Sequence, residues 1–255
     1  APEAGSQRLR NVINKGLTEE VILHGAHLAF EGGWTRVKLY FMLGLPFETE
    51  DDIRGIAELC NKIAAEFYET VPKEKRNGRV QIVASTSFFI PFQWAPQCTK
   101  EQFLEKAYLT RTSIMSQLNQ KSIKYNWHEA DVSVLESVLA RGDRNLNKAI
   151  LRAYERGCIY DAWSEYYKHD VWLSVFDECG IDPDFYTTRL REDDEVFPWD
   201  FLDCGVTREF LLREWHKAQE ETVTLNCKQQ CNGCGAAKYH TGICMEPRIR
   251  EGAEE

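Results

Sequence analysis

Three thiols fall within eight residues in the run Cys227-x3-Cys231-x2-Cys234-Gly235. Thiolates at this spacing can converge on one centre, with glycine supplying the positive φ values a tight wrap needs. Two chemistries fit. A cubane iron–sulfur cluster takes cysteine thiolates and leaves one iron for a fourth ligand. A structural zinc takes four cysteine or histidine ligands in a tetrahedron. Cys244 or His240 could close either set, as could Cys204 across space, and the spacing leans to iron–sulfur. The remaining cysteines, Cys60, Cys98, Cys158 and Cys179, are scattered. An odd total of nine with local clustering suits metal ligation in a reducing cytoplasm better than a secreted disulfide framework.

Other segments carry weaker signals. Pro2-Glu3-Ala4-Gly5-Ser6 is a small-residue loop opening a helix, followed by Arg8, Arg10 and Lys15. Such a loop can bind a carboxylate, ribose or phosphate through backbone N–H groups, and it can equally be a plain N-cap serine. Gly44-Leu45-Pro46-Phe47-Glu48-Thr49 ends a predicted strand, where ligands bind in βα folds and where ordinary turns also sit. His128, Glu129 and Asp131 could serve as acid/base groups, and more simply as surface or capping residues. His24 and His27 share a helix face without a third ligand. His169 and His216 have no evident partner.

The elements that must position these residues alternate in the first hundred positions. Thr18 caps a predicted helix to Phe30. Residues 36–43 read as a strand, with Val37, Leu39, Phe41 and Leu43 on one face and Arg36, Lys38, Tyr40 and Met42 on the other. Thr49 and Asp52 form a capping box for a helix over 50–70. A second strand spans 80–89. Two strands separated by a helix, each ending in a Gly/Pro turn, indicate parallel βα units. The polar face of the first strand suits an open barrel holding a cofactor, or an edge strand with one solvated side. From Thr99 the pattern turns helical. Capping boxes are predicted at Thr99/Gln102 and Ser133/Glu136, Asp143 can cap a helix through Arg156, and Asp182-Pro183 and Thr207 open further ones. Trp127, Trp163, Trp172, Trp199 and Trp215 are expected to build the core of this half.

The whole chain of 255 residues has 31 basic and 40 acidic side chains, a net charge of -9. That balance argues against a broad nucleic-acid-coating surface but leaves room for a local contact. No apolar run suffices to span a bilayer and no secretory signal opens the sequence, so no membrane partner is expected. The sequence opens at Ala1 without a methionine, directly in a loop and helix, and is expected to be the C-terminal part of something larger. An isolated half barrel would expose strand edges and behave poorly alone.

Residues 2–16, 33–53, 85–89 and 91–97 together resemble the second half of a radical S-adenosylmethionine (SAM) core. Residues 127–144, 157–163, 180–186, 198–206 and the terminal CxxxCxxCG are similar to the C-terminal extension of one branch, an uncharacterised bacterial group with an N-terminal B12-binding-like domain. The resemblance implies a partial (β/α)6 barrel in which a [4Fe–4S] cluster reductively cleaves SAM to a 5′-deoxyadenosyl radical. It places Glu3, Gly5 and Ser6 at the end of the fourth strand, near the ribose and amino acid moiety. Gly44, Pro46 and Glu48 would end the fifth, near adenine and the methionine end, and Ser85 and Ser87 would lie on the sixth. Lys38 and Tyr40 would face the cofactor-filled lumen. The branch departs from this chain in three ways. Its SAM-cleaving cysteine motif lies near the first strand, upstream of Ala1, and its B12-like domain, through which cobalamin would bind, is also absent here. It also has a longer stretch between the sixth strand and Pro91-Phe92-Gln93-Trp94.

The expected organisation is therefore α/β: residues 1–98 as the C-terminal half of the barrel, 99–222 as a helical extension and 223–255 as a Cys-rich metal-binding tail with Cys227, Cys231, Cys234 and Cys244 as ligands. The implied activity is radical C–H functionalisation of an unknown substrate, with flavodoxin or ferredoxin as electron donor. The alternative is a non-catalytic, zinc-stabilised helical interaction module.

Overall fold

A computed structural model describes residues 1–76 and 78–239. Its centre is a three-stranded parallel sheet in the order β1 (Arg36–Leu43), β2 (Gln81–Phe88), β3 (Ile123–Trp127). The register pairs Tyr40 with Ser85 and Met42 with Ser87, and Ser85 in turn with Asn126. Parallel strands need long crossovers. Helix α3 (Glu50–Thr70) joins β1 to β2, and α4 (Lys100–Met115) joins β2 to β3. A fourth parallel position beside β1 is held by one residue. The Glu3 N–H donates to the Tyr40 carbonyl at 3.1 Å and its carbonyl accepts from Met42 N–H at 2.8 Å.

The main helical layer packs on one face of this sheet, and on the other face only the C-terminal end is covered, where Met42 packs with Leu9, Val12 and Ala218. Leu39, Phe41, Leu43, Ile82, Ala84 and Phe88 point into a core shared with Ala26 and Phe30 of α2 (Glu19–Glu31), with Ile53, Ile56, Ile63 and Phe67 of α3, and with Phe103 and Ala107 of α4. Each fully buried Leu, Ile or Phe contributes on the order of 1.5–3 kcal/mol, so this face fixes the register of β1 and β2. The opposite face, Lys38 and Tyr40 with Ser85 and Ser87 beside them, is left open to partial or full solvent exposure. Two of the three predicted capping boxes, at Thr49/Asp52 and Thr99/Gln102, are formed.

A second core gathers α5 (Ala130–Arg141), α6 (Asn147–Glu155), α7 (His169–Glu178) and the short α8 (Pro183–Tyr186) around Val138, Ala149, Trp172 and Phe176. Two further helices, α1 (Gln7–Val12) and α9 (Arg208–Gln219), meet above the C-terminal end of the sheet.

Three expectations are corrected. The region beyond Thr99 is not purely helical, because β3 extends the sheet across the expected boundary at residue 98. Ser133 does not cap a helix: α5 begins at Ala130, and the Ser133 hydroxyl lies within it, donating to the Glu129 carbonyl at 3.1 Å. Of the five tryptophans expected in the core only Trp172 is buried, while Trp94, in the loop after β2, is buried instead.

Candidate functional site

The C-terminal ends of β1 and β2 open into a cleft of about 600 Å³. Its floor and walls are Glu3, Lys15, Met42, Pro46, Phe89 and Trp94, and α9 roofs it with Leu211, Glu214, Trp215 and Ala218. The lining is mostly apolar and aromatic, with a few charges at the edge, the usual composition of a small-molecule site. Glu3 sits at φ 65°, a left-handed value unusual for its type, and its carboxylate pairs with Lys15 Nζ at 3.2 Å.

Several residues predicted to touch a cofactor hold the rim together. A Cβ on Gly5 would lie 2.3 Å from Ile56 N and 2.4 Å from Asp52 O, so Gly5 is required by the backbone crossing of α1 and α3. Ser6 caps α1, accepting from Leu9 N–H, and its hydroxyl donates to Asp52. Gly44, at φ 84°, is held against Phe103 and Cys98. The Glu48 carboxylate turns away from the cleft and is 2% exposed. It accepts from Gly44 N–H at 2.9 Å and pairs with Lys106 Nζ at 2.8 Å. Burial pushes the Glu48 carboxyl up from its ordinary range, against the pull of Lys106.

Lys38 and Tyr40 do lie on the open face, with the ammonium 4.7 Å from the centre of the phenol ring. Ser85 and Ser87 lie beside them in register. Glu3 and Pro46 alone among the predicted cofactor-binding residues line the cleft itself.

Asp52, read in the sequence only as half of a capping box, organises the rim. It is 2% exposed and takes hydrogen bonds from Ser6, from Thr49 N–H and Oγ at 2.8 and 2.7 Å, and from Arg8. Burial raises its pKa, but the hydrogen bonds from Arg8, Ser6 and Thr49 outweigh burial and hold it at about 2. Arg8 also donates to the Phe47 carbonyl at 2.7 Å and to Glu221 at 2.6 Å, tying the loop after β1 to the segment after α9. The Phe47 and Trp215 rings meet at a tilt of 34°, their centres 5.3 Å apart. No local sequence pattern marks Arg8 or Trp215 for these tasks, since their partners lie 39 and more residues away.

The wall formed by residues 93–97 is gripped from behind. Arg141, fully buried, donates to the Ala95 carbonyl at 3.0 Å and to Gln93 at 3.4 Å. Arg191 donates to the Arg141 carbonyl at 3.2 Å. Burial, with repulsion from Arg191 added, lowers the Arg141 guanidinium to about 10.

The cysteine loop folds back on α9. Thr207 N–H donates to the Cys234 carbonyl at 2.8 Å, Arg213 to Asn232 at 2.6 Å, and Lys238 pairs with Asp203 at 2.6 Å. Gly233 and Gly235 take the positive φ expected of them, 65° and 98°. Cys227 and Cys231 are exposed and Cys234 half-buried. Among the described residues no three His, Cys, Asp or Glu side chains converge as a metal-holding group. Cys244 and His240 lie outside the described residues. The loop thus supplies soft donors and the backbone for a wrap without gathering the sulfurs in this structure.

Three of the histidines have partners that the sequence did not disclose. His27 Nδ1 lies 2.8 Å from Glu66, His216 3.3 Å from Asp193, and His169 3.7 Å from Asp131. Asp131 pairs with Lys100 at 2.7 Å, and Glu129 holds the N-cap position of α5 without a side-chain cap bond. Among the described residues no helix is long and apolar enough to cross a membrane.

No protein-family model matches the chain, and no solved structure does. An uncharacterised protein of Methanocaldococcus jannaschii, MJ0966, is 29% identical over 188 residues, which is 71% of this chain and 38% of that protein. The chain thus spans well under half the length of the relative it matches.

Proposed function

We propose that this chain is the C-terminal part of a radical SAM enzyme carrying an additional cysteine-ligated centre. The observation that supports this reading is the one-sided sheet. Helices cover its apolar face, while the polar face with Lys38, Tyr40, Ser85 and Ser87 leads up to a cleft edged by Glu3 and Pro46. A closed, filled barrel would carry branched apolar side chains there. When bound, SAM at a [4Fe–4S] cluster supplies a 5′-deoxyadenosyl radical. The residues of this chain bind and orient. Lys38 offers a cation to a carboxylate, the Glu3 carboxylate offers acceptors to hydroxyl or ammonium groups, and Met42, Pro46 and Phe89 exclude water from the apolar part of the ligand. Gly5, Ser6, Gly44 and Glu48 shape the rim through the packing described above. The electron donor would be a flavodoxin or ferredoxin, and cobalamin would require a further domain.

The cysteine loop supports a second reading. It is bonded to Thr207 at the start of α9 and to Arg213 within it. A zinc at Cys227, Cys231, Cys234 and a fourth ligand would make this a structural element of an interaction module. Metal and acid-labile sulfide content of the anaerobically purified chain separates the two. About four irons and four sulfides per chain, lost in the Cys227/Cys231/Cys234→Ala triple variant, supports the redox enzyme. About one zinc, lost in the same variant, supports the module.

A further inference from the structure

At the end of the sheet opposite the cleft, the N-terminal ends of the three strands form a groove of about 670 Å³ on the uncovered face. Its lining includes Arg36, Arg79, Lys121 and Lys124, and no acidic residue. All four cations are exposed. Arg36 donates only to the amide oxygen of Gln81, at 2.9 and 2.6 Å, and among the described residues none of the four is paired with a carboxylate. In a chain whose net charge is -9, four unpaired cations around one groove mark a local reversal of sign. Trp34, 69% exposed, stands two residues before Arg36 at the same end of β1, where Thr35 accepts from Gln81 N–H at 2.8 Å.

We propose that this groove binds single-stranded nucleic acid. The cations meet successive phosphates, and the indole of Trp34 offers a face on which a base stacks. Trp34 lies outside the groove's lining but is exposed two residues before Arg36, and a base-bearing strand running out of the groove at that end can stack on it. Polar Gln81 and Asn126 line the same groove and can hydrogen-bond base or sugar edges. The site lies at the far end of the strands from the cleft, so it is a docking surface and not a reaction centre. It does not depend on the radical SAM reading.

The test is fluorescence anisotropy of a labelled twelve-nucleotide RNA and its DNA counterpart, titrated with the purified chain at several salt concentrations. Binding is expected to weaken steeply with salt. In the Lys121→Ala/Lys124→Ala variant affinity falls at least tenfold and the slope of log K against log salt flattens by about 1.4, two contacts at roughly 0.7 each. Trp34→Ala weakens binding with the slope unchanged. A control pair on the helical side, Arg54→Ala/Lys62→Ala, binds as the parent does. Circular-dichroism melts establish that each variant is folded. Absence of binding at low salt overturns the proposal. So does equal loss in the control pair, or equally tight binding of poly-glutamate, which would make the groove a contact for an acidic protein.

Discussion

Asp52 shows how much a single residue can carry unseen. Its sequence context announces a helix cap, and the cap is there. What the context could not announce is Arg8, 44 positions away, or the burial that makes the pair tight. The carboxyl is held at about 2 against an ordinary value of 3.8. A carboxyl lowered on folding stabilises the protein above its unfolded pKa, and that stabilisation is lost as pH falls through the folded one. The difference corresponds to about 2 kcal/mol. Asp52→Asn is therefore expected to lower stability by at least that amount at pH 7, read from urea unfolding. The gap from the parent should narrow as pH drops from about 4 toward 2. A gap independent of pH would mean that folding does not favour the ionised Asp52 over the neutral acid.

At the scale of elements, the strands and helices that carry a clear period were legible. β1 and β2 alternate cleanly, and α3 and α4 begin at reciprocal caps. β3 was not legible, because Ile-Lys-Tyr-Asn-Trp is five residues long and shows only Ile123 and Tyr125 on its inner side, too brief an alternation to outweigh the helices around it. Ser133 misled for a related reason. A serine three residues before a glutamate fits a cap, but Ala130 is already buried against the sheet core, so the helix starts earlier. The candidate site was legible in outline, since both strand-end loops adjoin the cleft, but not in detail. Gly5 illustrates the difference. A glycine in a small-residue loop suggests a ligand, whereas its close neighbours are the backbone of α3. Gly5→Ala should cost upwards of about 3 kcal/mol, because backbone cannot swing aside as a side chain can. A thermal melt reads this, and a variant melting like the parent would return Gly5 to the list of ligand contacts.

Across the whole molecule, two cores of different origin meet at the 93–97 loop. One is built from the sheet with α2, α3 and α4, the other from α5 to α8. Arg141 and Arg191 join them through carbonyl oxygens rather than through carboxylates. Glu195 is engaged mainly with Arg189, through bonds of 2.6 and 2.7 Å. Buried guanidiniums are costly to desolvate, so this junction is held for its geometry more than for its energy. The charge arithmetic of the sequence could not reveal the cationic groove, since a net value averages over surfaces and the four cations come from three separate stretches of chain.

The roof of the cleft has a kinetic consequence. No residue of α9 is buried, and the helix is seated by the Phe47–Trp215 contact, by Arg208 on Asp200 and on the Asp193 and Glu195 carbonyls, by the Arg8–Glu221 pair and by the bond from Thr224 N–H to Asn14. Helix α3, by contrast, buries ten residues. Amide hydrogen exchange should accordingly be fast along Arg208–Gln219 and slow through Ile53–Phe67, with the roof opening many times for each opening of the sheet. Equal protection of the two helices would contradict this. Displacing α9 would thus open the cleft at less expense than disturbing α3, and would leave the strands beneath it in place.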